Sequence, residues 1–320
     1  MMVMWQFRAS ALIVAPLIAT ACAPGAAPVS RDSTPGAPAH GIERGMVIDA
    51  ATLARIRGDS GIVILHVARG RAEFERGRIP GARFLPLDAI VTERGGLPNE
   101  LPSTSVLDSV FESVGVADGD RIVLYGEPLA AARAYFTLDV LGHGDRTAIL
   151  DGGLPAWRAG AYELATGPVA AVEPARARLT VRERPGVVVD AAWIAARAGD
   201  PGIAVIDARP PAEHRGETPG EGVTRPGHIP GSANLFWKAT IVSDSLPELR
   251  DEAALRKLLL AAGATPGDTV VAYCRTGVQA SHLYFVARYL GYEVRMYDGS
   301  YLDWARRSEL PVERGTGVNE

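Results

Sequence analysis

The 320-residue chain has no surplus of basic residues, since 33 Lys and Arg stand against 37 Asp and Glu and the formal net charge is −4. Nucleic-acid-binding proteins carry a basic face that neutralises phosphates, so the composition gives no support to a nucleic-acid partner. Cysteine is scarce as well, with only Cys22 and Cys274. So few thiols cannot build a cysteine-type zinc site, and we expect neither a metal nor another cofactor. The 47% apolar content is enough for the cores of two ordinary domains.

A long hydrophobic run is also missing. The apolar stretch within residues 1–22 is too short and too close to the terminus for a membrane span, and it is typical of an export signal. Its end, 18-IATAC-22, resembles a bacterial lipoprotein box, which predicts lipidation of Cys22; a plain cleavable signal or an uncleaved anchor is the alternative. Residues 23–45 are rich in Ala, Pro and Gly and predict a flexible tether. We therefore expect an exported protein on the periplasmic side of a bacterial membrane, held there only by a lipid anchor.

Lipidation of Cys22 would leave Cys274 as the one free thiol of the mature protein. A single cysteine cannot form an intramolecular disulfide. An unpaired thiol in an oxidising compartment is a liability unless it is buried or useful. Cys274 is therefore either a core residue or a functional one.

The sequence repeats itself at an offset of about 150 residues. Three pairs of segments match in the same order: 77-GRIPGA-82 with 227-GHIPGS-232, 119-GDRIVLYG-126 with 267-GDTVVAYC-274, and 151-DGGLPAW-157 with 298-DGSYLDW-304. Collinear matches at nearly one offset indicate an internal duplication. The position that corresponds to Cys274 in the first repeat is Gly126.

Each repeat has the pattern of an α/β domain. Short apolar runs rich in β-branched residues predict buried strands at 62–67, 121–125 and 147–150, and again at 203–207, 269–273 and 294–297. Helices are predicted over 103–115, 129–141, 248–262 and 279–290. Alternating strands and helices favour parallel sheets flanked by helices. We predict two such domains at 46–162 and 185–314, with a linker at 163–184 and a tail at 315–320.

Cys274 directly follows one of the predicted buried strands. Ligands of parallel α/β sheets bind beyond the carboxyl ends of the strands, and the loop 274-CRTGVQ-279 leads from there into a helix. Backbone N–H groups of such a loop and the helix N-terminus favour a bound anion and a lowered cysteine pKa, while Gly277 permits the tight curl. A cysteine in this place is otherwise a small core residue. The loop and the unpaired thiol together favour a reactive thiolate that faces an anionic substrate.

These motifs together resemble the two-domain rhodanese sulfurtransferases. The resemblance rests on the duplication, the H-I-P-G-[AS] turn, the cysteine loop C-R-x-G-V and the ending Y-D-G-S-x-x-[ED]-W, and it covers about residues 46–312. It implies two tandem rhodanese-like domains, of which the first is catalytically silent because Gly126 stands at the cysteine position. It also implies that Cys274 takes the sulfane sulfur of thiosulfate as a persulfide and passes it to cyanide or a thiol. We expect a monomer.

The resemblance further implies a set of substrate-binding residues, namely Arg275, Thr276, Gly277, Val278 and Gln279 of the cysteine loop. Arg275 is typical of the thiosulfate enzymes, whereas C-G-[ST]-G-V is typical of 3-mercaptopyruvate enzymes. Asp207 and Arg209 end a strand on the same rim, where the family uses such residues for pocket electrostatics; a structural ion pair is an equal alternative. The family often has a substrate-binding arginine at the position of Glu213, and the neighbouring Arg215 is the candidate substitute.

Three other functions compete with thiosulfate sulfurtransferase. Cysteine phosphatases that share this fold need C-x5-R, but Ala280 occupies the arginine position, which argues against a phosphatase. A 3-mercaptopyruvate sulfurtransferase is the alternative enzyme. A non-catalytic lipoprotein that carries sulfur or docks a partner is the alternative outside enzymes, and the presence of Cys274 favours an enzyme.

Overall fold

A computed structural model of the chain describes residues 45–167 and 178–315. The predicted signal peptide with Cys22, the tether except for its last residue, the centre of the predicted linker and the last five residues lie outside the described residues. The described part forms two α/β domains in tandem, which confirms the predicted fold class. None of the helices in these two ranges combines the length and apolarity needed to cross a membrane.

The first domain is built on a five-stranded parallel sheet of order β1-β7-β6-β2-β3. Its elements in chain order are β1 (Val47–Ile48), α1 (Ala50–Ile56), β2 (Ile62–Ala68), α2 (Ala72–Arg76), β3 (Arg83–Pro86), β4 (Thr92–Arg94), β5 (Leu97–Glu100), α3 (Thr104–Ser113), β6 (Arg121–Gly126), α4 (Pro128–Val140), β7 (Thr147–Leu150) and α5 (Gly153–Ala159). Strands β4 and β5 form a separate antiparallel hairpin.

The second domain repeats this plan with the sheet order β10-β9-β11-β12-β8, again parallel throughout. Its elements are β8 (Val188–Val189), α6 (Ala191–Ala195), β9 (Ile203–Asp207), α7 (Pro211–His214), β10 (Ala233–Asn234), α8 (Glu252–Ala261), β11 (Thr269–Tyr273), α9 (Val278–Tyr289), β12 (Glu293–Tyr297) and α10 (Ser300–Arg306).

The central strands are buried on both faces by the helices. In β11 every residue after Thr269 is buried, β2 and β9 show the same pattern, and in β6 the residues between Arg121 and Gly126 are buried. Such strands read as continuous apolar runs, which is why the sequence predicted them within one or two residues. Helix α8 begins four residues later than predicted because Asp251 is its N-cap, with a side chain that accepts from the backbone N–H of Ala254 at 2.8 Å.

The two domains pack through the equivalent helices α4 and α9. Aromatic rings meet edge to face across this contact: Tyr135 against Phe285 with centroids 4.8 Å apart, and Phe136 against Tyr284 at 5.0 Å. Buried residues of both domains belong to one continuous hydrophobic cluster. The β4–β5 hairpin extends the contact, since Arg306 donates to the carbonyl oxygen of Gly96 at 2.8 Å. The end of β11 therefore lies next to the first domain.

Candidate active site

The cysteine loop is a tight turn between β11 and α9. Cys274 follows Tyr273, and α9 begins at Val278 with Gly277 as its N-cap at φ +85°. Glycine is required there for two reasons: its backbone is left-handed, and a Cβ would lie 2.9 Å from the Oδ1 atom of Asp298. This left-handed conformation is the reason that the tight turn of the loop needs glycine at position 277.

The Cys274 sulfur accepts hydrogen bonds from the backbone N–H groups of Ala280, Thr276 and Gln279. These three N–H groups of the loop and the start of α9 therefore face the sulfur; the binding of an anion there stays a prediction. Burial nevertheless has the larger effect on the pKa of the thiol and raises it above its ordinary value, against the lowering by the N–H groups; Asp207 raises it further. The prediction of a lowered pKa is therefore wrong for this buried sulfur. The raised pKa favours the protonated form of the thiol.

A pocket at the boundary of the two domains opens onto Cys274. Residues of the first domain that line it are Arg69, Gly96, Pro98, Asn99 and Leu129, and those of the second domain are Glu221, Gly222, Cys274, Arg275, Thr276, Val278, Gln279 and Leu302. Four of the five predicted loop residues thus line the pocket directly, and the fifth, Gly277, shapes the loop from behind. Both domains supply the walls.

Asp207 and Arg209 lie behind the cysteine loop and form a buried ion pair. The Nη2 atom of Arg209 is 2.6 Å from Oδ2 of Asp207, and both side chains are fully buried. Burial alone would raise the pKa of Asp207, but Arg209 and the hydrogen bond from His214 overcome it and lower that pKa to about 2. The guanidinium also lies over the ring of Tyr301 at 4.0 Å. Of the two predicted alternatives, pocket electrostatics and a structural ion pair, these contacts favour the structural ion pair.

Arg215 does not reach the pocket. Its guanidinium pairs with Glu217, with Nε to Oε1 at 2.6 Å and Nη2 to Oε2 at 2.8 Å. Arg215 is thus not among the pocket-lining residues of the described chain. The prediction that it substitutes for the missing arginine finds no support in this geometry, because the side chain following α7 points to Glu217 instead.

Glu213 lies beside Arg275 of the cysteine loop. Its Oε1 atom is 3.5 Å from Nη1 of Arg275, and its side chain is only 13% exposed. The Oε2 atom is buried without a hydrogen-bond partner among the described residues. A buried carboxylate needs a nearby cation, so part of the charge of Arg275 is used to stabilise Glu213.

The first domain contributes residues that the sequence did not predict. Asn99 at the end of the β4–β5 hairpin donates from Nδ2 to the Oγ1 atom of Thr276 at 3.1 Å. Its backbone is left-handed at φ +62°, an unusual conformation for a residue other than glycine. No motif marks this residue in the sequence, and Gly126 at the cysteine position gives no sign that the first domain contributes to the site.

A second contact between the domains supports the loop from below. Asp298 accepts from Nη1 of Arg133 at 2.6 Å and from the backbone N–H of Leu101 at 2.7 Å. The side chain of Arg133 is fully buried and that of Asp298 is 5% exposed. Arg133 also donates to the carbonyl oxygen of Asn99 at 2.6 Å. This buried pair joins α4 to the D-G-S motif directly beneath Gly277.

The half-buried carboxyl of Glu100, in the same region, should make the stability of the fold depend on pH. Burial, followed by the charge of Asp298, raises the pKa of Glu100 to about 7, and its Oε1 atom is buried without a hydrogen-bond partner in the described part of the chain. A carboxyl whose pKa is raised on folding lowers stability as pH rises from its unfolded pKa to its folded pKa, here from about 4.5 to about 7. Glu100→Gln should therefore raise Tm by about 2–4 °C at pH 8. Thermal unfolding at pH 8 and pH 4.5 tests this, and an equal gain at both pH values would contradict it.

Gly126 occupies the place in the first domain that Cys274 occupies in the second. It ends β6, two residues before the start of α4, and its φ is +125°. A Cβ there would lie 2.3 Å from the carbonyl oxygen of Val67, which no side-chain rotation relieves. The backbone of the first domain therefore excludes a cysteine at this position.

The fold and the site define a class: a tandem α/β protein with a thiol that faces backbone N–H groups of its loop at the domain boundary. The chain belongs to the rhodanese family, because the rhodanese-like domain model matches it twice, over residues 49–160 and 190–307. Among similar curated proteins is a thiosulfate sulfurtransferase of Pseudomonas aeruginosa, 31% identical over 84% of this chain and 97% of that protein. Another, from Azotobacter vinelandii, is 32% identical with the same coverage. A probable 3-mercaptopyruvate sulfurtransferase of Pseudomonas aeruginosa is 33% identical over 77% of this chain and 87% of that protein.

Solved structures agree with the fold. The crystal structure of YnjE has a TM-score of 0.73 at 21% identity and covers 84% of this chain and 68% of its own. The wild-type structure of EanB has a TM-score of 0.72 at 21% identity, with 84% of this chain and 69% of its own covered. At this identity the likeness supports the tandem fold alone.

Proposed function

We propose that the protein is a sulfurtransferase that moves the sulfane sulfur of thiosulfate to cyanide or a thiol through a persulfide on Cys274. The observation that carries this proposal is the sulfur of Cys274 held by three backbone N–H groups at the foot of an open pocket. Relatives about 30% identical over most of the chain are named thiosulfate sulfurtransferase. Cys274 is the one protein group in the proposal that forms a bond to the transferred sulfur.

The reaction consists of two displacements. Cys274 first loses its proton to solvent, and the thiolate attacks the outer sulfur of thiosulfate. The S–S bond of thiosulfate breaks, and sulfite leaves with the electron pair. The product is a cysteine persulfide, whose terminal negative charge the N–H groups of the loop stabilise. Cyanide then attacks the outer sulfur to give thiocyanate, and the Cys274 thiolate leaves; such a cycle gives ping-pong kinetics.

The ion pair of Arg275 with Glu213 predicts how the donor affinity can be changed. Glu213→Gln removes the carboxylate 3.5 Å from Arg275 and leaves the guanidinium free to bind a sulfonate. We expect the KM for thiosulfate to fall by about three- to tenfold, with little change in kcat. Steady-state kinetics of thiocyanate formation measures both constants.

Glu217→Gln is the matched control, because it frees Arg215 outside the pocket. Its KM for thiosulfate should equal that of the wild type. A similar drop in KM for both variants would indicate a general change of surface charge and would contradict a specific role for Glu213.

3-Mercaptopyruvate is the second candidate donor, and the same ion pair favours it. Thiosulfate is a dianion, whereas 3-mercaptopyruvate carries one carboxylate, so a pocket whose loop arginine is partly neutralised discriminates less against the second donor. The experiment is to assay the purified chain with each donor and compare kcat/KM. A higher value with thiosulfate supports the first assignment, and a strong preference for 3-mercaptopyruvate overturns it.

We also propose that the protein is exported, lipidated on Cys22 and active as a periplasmic monomer. Support comes from the apolar N-terminal stretch and the 18-IATAC-22 segment of the sequence. Intact mass of the membrane-extracted protein should reveal a diacylglyceryl adduct that Cys22→Ser abolishes, and light scattering should give the monomer mass. An unmodified Cys22 or a stable dimer would contradict the corresponding part of the proposal.

A further inference from the structure

We infer that Arg69 of the catalytically silent domain binds the anionic end of the sulfur donor and is a specificity-determining residue of the site. This inference rests on the proposed sulfur transfer at Cys274. It assigns to the first domain a direct part in donor binding. The anionic end in question is the sulfonate-like end of thiosulfate or the carboxylate of 3-mercaptopyruvate.

Arg69 lies just past the end of β2 and lines the same pocket as Cys274. Its Nη2 atom donates to Oδ1 of Asn99 at 3.2 Å, and the other end of that amide donates to Thr276 at 3.1 Å. A single amide group therefore separates the guanidinium from the cysteine loop. The donor's outer sulfur must reach Cys274, which places its anionic end within the space that Arg69 and the loop share.

Two arginines that the sequence predicted as substrate-binding, Arg275 and Arg215, are less suitable than Arg69. Arg275 is committed to Glu213, a carboxylate that is 13% exposed and depends on a nearby cation. Arg215 is paired with Glu217 outside the pocket. Arg69 and Arg275 are the two cationic residues that line this pocket. The partner of Arg69 is the more exposed of the two partners.

The partner of Arg69 is Asp88, with Nη1 to Oδ1 at 2.9 Å, and the two side chains are 52% and 69% exposed. An ion pair this exposed is screened by water and contributes little net stability. Breaking this contact when the guanidinium turns to a ligand costs little free energy, because water can solvate the exposed carboxylate of Asp88. The bonds to Asp88 and Asn99 also use only two of the five N–H donors of the guanidinium. Arg69 is thus positioned without being neutralised as Arg275 is.

Half-reaction kinetics of the full chain test this inference. In a ping-pong cycle, kcat/KM for the donor reports the first displacement and kcat/KM for the acceptor reports the second. Arg69→Gln should lower kcat/KM for thiosulfate about tenfold and leave kcat/KM for dithiothreitol, a neutral acceptor, unchanged. Arg69→Lys should restore part of the loss. Arg55→Gln, on the exposed face of α1, is the matched control and should match the wild type.

A merely structural role would lower both constants together, so an equal fall in both overturns the inference. A donor kcat/KM for Arg69→Gln within about twofold of the wild type overturns it as well.

Binding without turnover separates this inference from the proposed function. Calorimetric titration of Cys274→Ser with thiosulfate should give a Kd about tenfold lower than that of Cys274→Ser with Arg69→Gln. Equal Kd values overturn the role of Arg69, whether or not the wild type transfers sulfur. A wild type that transfers no sulfur, together with a Kd that still depends on Arg69, overturns the proposed function and leaves the anion site standing.

Discussion

Cys274→Ser is expected to lower sulfur transfer from thiosulfate to cyanide by at least about 10³-fold, because the variant has no thiolate to form the persulfide. Serine fits the space of the buried cysteine, so the fold should persist. The N–H groups of the loop remain but have no sulfur to act on. Thiocyanate formation by wild type and variant at equal concentration measures the loss, and circular dichroism checks the fold.

Cys22→Ser is the control for this prediction, since Cys22 is the other cysteine of the chain. Its rate in detergent solution should equal that of the wild type. If Cys274→Ser kept more than about a tenth of the wild-type rate while Cys22→Ser lost activity, the nucleophile would have been assigned to the wrong thiol.

Arg133→Leu is expected to have the largest effect on stability. It leaves Asp298 charged and buried without its 2.6 Å partner, and breaking a buried ion pair in this way costs about 3–5 kcal/mol. Activity should fall as well, because Asp298 lies against Gly277 and because Arg133 holds the carbonyl oxygen of Asn99. Urea denaturation gives the free energy of unfolding, and the kinetic assay gives the activity.

The double variant Arg133→Leu with Asp298→Asn distinguishes two causes of the lost stability: the unpaired charge of Asp298 and the lost packing of the Arg133 side chain. Asparagine removes the unpaired charge and keeps an oxygen for the N–H of Leu101. It should recover about half of the lost stability. A double variant no more stable than Arg133→Leu alone would show that packing of the arginine stem, and not the buried charge, accounts for the loss.

The fold was predictable because the duplication and the buried strands can both be recognised from short segments of the sequence. After their first residues, Arg121 and Thr269, the runs 121–125 and 269–273 are apolar, as expected of strands covered on both faces. Short edge strands such as Val47–Ile48 and Val188–Val189 were not predicted, since two residues carry no periodicity. The β4–β5 hairpin was missed for a related reason: its pairing depends on the turn at Gly95 and Gly96 and has little apolar alternation.

The candidate site was predictable where one loop builds it and not where distant segments meet. The residues from Cys274 to Gln279 are adjacent in sequence, so their common site followed from the motif. Arg69 and Asn99 reach the pocket only through the packing of the first domain on the second, which no local pattern describes. The raised pKa of Cys274 depends on burial by the whole fold, and the sequence showed only the N–H groups that oppose it. The partner of Arg215 likewise depends on a turn after α7 that the sequence did not reveal.

The two domains contribute different parts of the candidate site. The second domain holds the thiol, and Gly126 lies too close to the carbonyl oxygen of Val67 to allow one in the first. The first domain instead supplies the Asn99 contact to the loop and the Arg133 contact to Asp298. We therefore expect neither domain to transfer sulfur efficiently without the other.

The most direct test of the proposed function is the mass of the protein after reaction with thiosulfate alone, without an acceptor. The proposed function predicts that the intact mass rises by one sulfur atom, that peptide mapping places this atom on Cys274, and that cyanide removes it as one equivalent of thiocyanate. A mass that stays unchanged, in a preparation that forms thiocyanate once cyanide is also present, would contradict a persulfide intermediate, and so would an added sulfur on Cys22.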